Sequence, residues 1–209
     1  MTEKIPRPVS KRLAVYYRLL RSLSKKGTET ISSSKIGQAL DLKPSQVRKD
    51  LSYFGGFGKR GTGYNVSDLM KVLEKILGVD RSWNIIIIGA GNIGLALANY
   101  EGLCNEGFHL SAIVDSDLSK IGKKTQSGLT IENVSEIDSI IKNRNIEIAV
   151  LAVPSEIAQF LADKVVSSGI RGIINFAPLH LDLPKHVKLE DVHILMMFKS
   201  LSFKIVNGE

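Results

Sequence analysis

Three glycines and one aspartate carry the most specific chemistry in this 209-residue sequence. Gly89, Gly91 and Gly94 stand at GxGxxG spacing directly after the β-branched run 85–88. At that spacing the first glycine allows a tight turn, the second lets the backbone approach a pyrophosphate, and the third lets a helix pack closely on its strand. Ala90, Asn92 and Ile93 complete the turn and the start of that helix, whose free N–H groups and positive dipole end suit phosphate. Asp115 closes a second apolar strand, 110–114, and lies 21 residues past Gly94, close to the roughly 20 expected of an acid that accepts from ribose hydroxyls. No Arg adjoins it, which favours NAD+ and NADH over their 2′-phosphorylated forms. Glycines alone would fit any tight strand–helix turn; the strand before them and the acid after them make the pattern specific.

A second concentration of chemistry is cationic. Residues 1–60 hold 14 Lys and Arg against 4 Asp and Glu, a net +10, while the remainder holds 14 against 17, a net −3. Such asymmetry points to a polyanion partner for the N-terminal third, and double-stranded DNA is the expected one. Within it, a helix with Pro44 in its first turn turns Val47, Leu51 and Phe54 inward. Its outward face is then Ser45, Gln46, Arg48, Lys49, Ser52 and Tyr53, a mixture of phosphate binders and base-edge readers. The glycine-rich GGFGKRGTGYNV that follows reads as a β-hairpin wing with Lys59 and Arg60 at its tip. The plainer alternative is a solvated charged helix followed by a loop.

These residues need elements to hold them. Val9, Leu13, Tyr16 or Tyr17, Leu20 and Leu23 recur at helical spacing over 10–25, with Lys11, Arg12, Arg18 and Arg21 mostly off the stripe. A serine cluster, 32–34, offers N-caps for a short helix ending at Leu40, so the Pro44 helix completes helix-turn-helix spacing. A further helix spans 67–77, and 78–83 is the linker. Beyond Asp115 the pattern alternates: helix 134–143, strand 147–153, helix 155–168, strand 170–175, which predicts a parallel sheet with right-handed crossovers. Val153 and Pro154, and the turn of Asn175, Phe176, Ala177 and Pro178, fall at carboxyl ends of strands, where open α/β sheets bind ligands. A short strand follows Pro184. Leu195, Phe198, Leu201 and Ile205 then form an apolar helical stripe that calls for a partner subunit. The expected organisation is α/β: a winged-helix domain at 1–80, a Rossmann-type doubly wound sheet at 81–190 and a terminal helix at 191–209.

Several classes are disfavoured. Cys104 is the single cysteine, too few for a disulfide or a cysteine zinc site. His109, His180, His186 and His193 lack metal-ligand spacing, so no metal is expected. With no apolar run near the roughly 18 residues of a membrane span and no leader pattern, a cytoplasmic protein is expected. A dehydrogenase remains the rival reading, with His180 the obvious acid–base candidate.

Taken together, QVRKDLSYFGGFGKRGTGY, GAGNIG, Pro154, GIRGIINFAP and the LSF at 201–203 resemble, in order and spacing, the Rex family of redox-sensing transcriptional repressors over essentially the whole chain. The resemblance implies a homodimer in which each winged helix is followed by a Rossmann core and a C-terminal helix swapped onto the partner. It implies that palindromic operators of respiratory and fermentative genes are held when NAD+ is abundant and released when NADH binds. By the same carry-over, Arg48, Lys49, Lys59 and Arg60 hold DNA. Gly89, Gly91, Asn92 and Gly94 hold pyrophosphate, Asp115 holds the ribose, and Pro154 with the 175–178 turn lines the nicotinamide side. The sequence departs from the family where an Asp pairs with an Arg of the first helix. Arg18 is present, but the Asp position is His193, and a Glu position four residues on is Met197. Weaker NADH-driven release is therefore expected.

Overall fold

The computed structural model describes residues 7–55 and 63–208. The chain divides between Arg81 and Ser82 into two compact units.

The first unit runs α1 (Arg7–Lys25), β1 (Thr30–Ile31), α2 (Ser33–Leu40), α3 (Pro44–Ser52), β2 (Tyr64–Asn65) and α4 (Val66–Leu77). In α1, Val9, Leu13, Tyr16 and Leu20 fall on one helical stripe and are buried with Ile36 of α2, Val47 and Leu51 of α3, and Leu69 and Leu73 of α4. Helix starts follow from local chemistry. Ser32 accepts from the Lys35 N–H to cap α2, and Pro44 opens α3, where its missing N–H is of no consequence. Asp41 ends α2 in the left-handed region at φ 52°, turning the chain into α3. β1 and β2 pair antiparallel, Thr30 opposite Asn65. The expected wing tip with Lys59 and Arg60 lies outside the described residues.

The second unit contains β3 (Trp83–Ile88), α5 (Asn92–Ala98), α6 (Gly102–Asn105), β4 (Phe108–Asp115), β5 (Ile131–Asn133), α7 (Ile137–Asn143), β6 (Ile148–Leu151), α8 (Ser155–Ser167), β7 (Gly172–Asn175), β8 (Lys188–Asp191) and α9 (Ile194–Asn207). Six strands form one sheet in the order β5-β4-β3-β6-β7-β8, all pairs parallel. Because β3 lies centrally, with β4 on one side and β6 on the other, the crossover direction reverses there and a crevice opens at the strands' carboxyl ends. Ile86, Ile88, Ala112, Val114, Ala149 and Leu151 face one apolar layer, packed against α7 and α8. Ile85, Ile87, Ile113 and Val150 face the other, the side alternation that β-structure dictates.

Strand edges differ from the sequence reading for identifiable reasons. β4 begins at Phe108 because its backbone pairs with Trp83. β7 begins at Gly172, since the Ile170 N–H is engaged by Val165 O at the end of α8. In α9, Ile194, Leu195, Met196, Met197, Phe198, Leu201, Phe203, Ile205 and Val206 are all exposed. Among the described residues, no helix is long and apolar enough to cross a membrane.

Candidate functional site

At the carboxyl ends of β3, β4 and β6 the second unit lines an open cleft of about 620 Å3. Its walls combine the glycine turn (Gly89, Gly91), the end of β4 (Val114, Asp115 and the following Ser116, Asp117 and Lys120), and the end of β6 (Ala152, Val153, Pro154). Ile157 and Phe160 of α8 add an apolar wall, and both are partly open to solvent.

Each glycine of the turn has its own reason. Gly89 adopts φ +100°, and a Cβ there would strike the Ala152 carbonyl. At Gly94 a Cβ would strike the Gly89 carbonyl, so close strand–helix packing requires glycine. At Gly91 a Cβ would meet nothing in the chain. Since Gly91 is exposed on the cavity wall, the space beside it is free for something outside the chain. Ala90 is buried, and its N–H donates to Asp115 Oδ2 at 2.7 Å; its part is to tie the turn to the acid. Asn92 and Ile93 are exposed at the start of α5.

Asp115 is almost buried yet well supplied with donors. Besides Ala90, the Asp117 N–H donates to Oδ1 at 2.8 Å and Lys120 Nζ to Oδ2 at 3.1 Å. Burial opposes its ionisation, but these donors outweigh burial and hold the carboxyl below its usual range. Sequence reasoning missed Lys120 and Asp117, although DSDLSK at 115–120 carries both charges within one turn of Asp115.

The 175–178 turn follows the carboxyl end of β7. Its residues are absent from the cavity wall, and Asn175 is buried with its amide committed. Nδ2 donates to Ala177 O, Leu179 O and Asp191 Oδ1, and Oδ1 accepts from the Ala177 N–H. Asn175 thereby fastens the turn to β8. Ala177 is buried, Phe176 half-buried and Pro178 exposed.

On α3, Ser45, Arg48, Lys49 and Ser52 are exposed, a polar and cationic face. Arg48 Nη1 donates to Ser33 Oγ at 3.0 Å, and Ser52 Oγ donates to the Lys49 carbonyl at 2.8 Å. Two further positions of the expected face are half-buried. Gln46 is half-buried and donates from Nε2 to Asp50 Oδ1 at 2.7 Å, and Tyr53 packs against the core. Asp50 is the residue the sequence hid: fully buried, it also takes Arg12 Nε at 2.6 Å, Arg12 Nη2 at 2.8 Å and Tyr16 Oη at 2.7 Å. Arg12 is therefore half-buried, its guanidinium turned from solvent onto Asp50. Arg18 is exposed on α1, while His193 stands half-buried at the N-cap of α9 without a side-chain capping bond. Among the described residues, no group of three or more His, Cys, Asp or Glu could hold a metal ion.

A family model described as "Putative DNA-binding protein N-terminus" matches residues 4–52, and one described as "CoA binding domain" matches residues 80–179. The Redox-sensing transcriptional repressor Rex of Thermosipho africanus (strain TCF52B) is 55% identical over 98% of this chain and 98% of its own length. A crystal structure of RSP in complex with beta-NAD+ and operator DNA is 38% identical, covers 99% of this chain and 94% of that one, and superposes with a TM-score of 0.93. RSP in complex with beta-NADH is 36% identical, over 99% and 96% of the two chains, with a TM-score of 0.89.

Proposed function

The chain belongs to the Rex family of redox-sensing transcriptional repressors, and from that footing we propose that NAD(H) occupies the β3–β6 crevice while α3 reads an operator. The observation that carries the proposal is the pairing of Gly91, a glycine that no contact within the chain requires, with Asp115 across one cavity. The main chain at Gly89 and Gly91 faces the pyrophosphate, and Asp115, held ionised and aimed by Ala90 and Asp117, accepts from the ribose. Val153, Pro154, Ile157 and Phe160 supply apolar walls that exclude water. NAD(H) supplies the redox signal, an oxidised or reduced nicotinamide. CoA fits the same end poorly, because its ribose 3′-phosphate would face Asp115 and Asp117.

In the first unit, Arg48 and Lys49 engage DNA phosphates and bases, Ser45 and Ser52 flank them, and Lys59 and Arg60 extend the contact. Double-stranded, palindromic DNA fits a dimer, and the exposed stripe of α9 is the surface a second copy covers, by the helix swap implied for the family. The protein is a cytoplasmic regulator and not an enzyme. Among the described residues lining the cavity, the titratable groups are Asp115, Asp117 and Lys120, at the proposed ribose end. Calorimetric titration of the full chain with NAD+, NADH and CoA tests the assignment. Binding of both nicotinamide forms is expected; binding of CoA in their place would overturn it.

A further inference from the structure

At the ribose end of the cavity, Lys120 bridges two carboxylates. Its Nζ lies 3.1 Å from Asp115 Oδ2 and 3.7 Å from Asp117 Oδ2, and all three residues line the cavity. Backbone bonds fix the carboxylates: the Asp117 N–H donates to Asp115 Oδ1 at 2.8 Å, and the Ser119 N–H donates to Asp117 Oδ1 at 2.9 Å. The Lys120 N–H bonds the Asp117 carbonyl at 2.9 Å, closing the turn. Only the ammonium sits on a flexible stem, and with the Lys120 side chain 36% exposed it can move to another anion without disturbing the fold.

The charge balance of this rim is two carboxylates to one ammonium. Ribose hydroxyls, as donors, suit it. A phosphate on the 2′-hydroxyl carries up to about two negative charges and would approach both carboxylates, with screening weakest at the nearly buried Asp115. We propose that Lys120 is a cofactor-selecting residue: a latent anchor for a 2′-phosphate, kept occupied by Asp115 and Asp117. The two carboxylates thus impose the preference for NAD(H) over NADP(H), and the ammonium reverses it once they are neutralised. This rests on assigning the cavity to a nicotinamide dinucleotide.

The test is calorimetric titration of the full-length protein with NAD+ and NADP+. Wild type favours NAD+. Asp115→Asn binds NAD+ more weakly and NADP+ about tenfold more tightly than wild type, the worth of one charge-assisted hydrogen bond; adding Lys120→Gln removes that gain. Asp117→Asn retains an oxygen for the Ser119 N–H, so it keeps the turn and shows the same effect on a smaller scale should the Asp115 variant fail to fold. If Lys120→Gln leaves NADP+ affinity unchanged in both Asn backgrounds, the inference is overturned. If wild type binds neither dinucleotide, the cavity assignment itself falls and the inference with it.

Discussion

Arg12 of α1 and Asp50 of α3 form a two-point ion pair, Nε to Oδ2 at 2.6 Å and Nη2 to Oδ1 at 2.8 Å, with the Asp50 side chain fully buried. Tyr16 and Gln46 complete the carboxylate's partners, so a charge on α3 is locked to α1. Burial opposes the charge on Asp50, but the bonds from Arg12, Tyr16 and Gln46 hold its pKa below the ordinary value. Because the folded-state pKa is depressed, the stabilisation is complete above about pH 4, the unfolded value, and is lost as pH falls through the folded one.

Arg12→Ala should therefore destabilise the N-terminal unit by about 2 to 3 kcal/mol. That is less than the 3 to 5 of a fully buried broken pair, since the Arg12 side chain is 26% exposed. Urea denaturation from neutral pH down to about pH 3 checks this: the gap between wild type and variant should close in acid. A gap independent of pH would mean that Arg12 acts by packing alone.

Arg48→Ala and Lys49→Ala should each weaken operator binding by about 1 to 3 kcal/mol. For a residue that contacts phosphate, the salt dependence should flatten by about one unit of slope; for one that reads a base, specificity should relax instead. Fluorescence anisotropy with an operator duplex over a salt series separates the two. Unchanged affinity in the double variant would place the DNA contact elsewhere.

Asp115→Ala should weaken NAD+ and NADH together, because it removes the proposed ribose acceptor and also frees the Ala90 and Asp117 N–H groups that bond to it. Asp115→Asn, which keeps one acceptor oxygen, should lose less. Calorimetry reads both variants, and equal losses would show that charge and not turn geometry decides.

The parts of the site that were legible in the sequence are those where residue type is forced. Gly89 and Gly94 admit no side chain, and Asp115 ends a strand at a spacing set by one βαβ turn. Pairings made by the fold were hidden. Arg12 and Asp50 are 38 residues apart, and a charged residue on an amphipathic helix ordinarily faces water. The two-residue strands β1 and β2, and β5 with three, are too short to show a period. Asn175 was found as a turn residue at a strand end. That its amide is consumed by Ala177, Leu179 and Asp191 follows only from β8 lying alongside β7.

His193→Asp should strengthen the redox response. At the N-cap of α9, His193 makes no side-chain capping bond and no acid lies in the first turn. An Asp there would cap the helix, worth about 1 kcal/mol, and would restore the acidic partner for Arg18 that the family resemblance implies. In operator titrations at rising NADH, the variant should dissociate at a lower NADH concentration than wild type. Superimposable curves would remove His193 from the switch.

The most direct measurement is the operator affinity of the wild-type protein at fixed total dinucleotide as the NADH/NAD+ ratio is raised. A ligand shifts a two-state protein only by its differential affinity for the two states. Tight operator binding in NAD+ that weakens progressively as NADH replaces it is the expected result. Equal affinity with saturating NAD+ and saturating NADH would contradict redox sensing through this cavity.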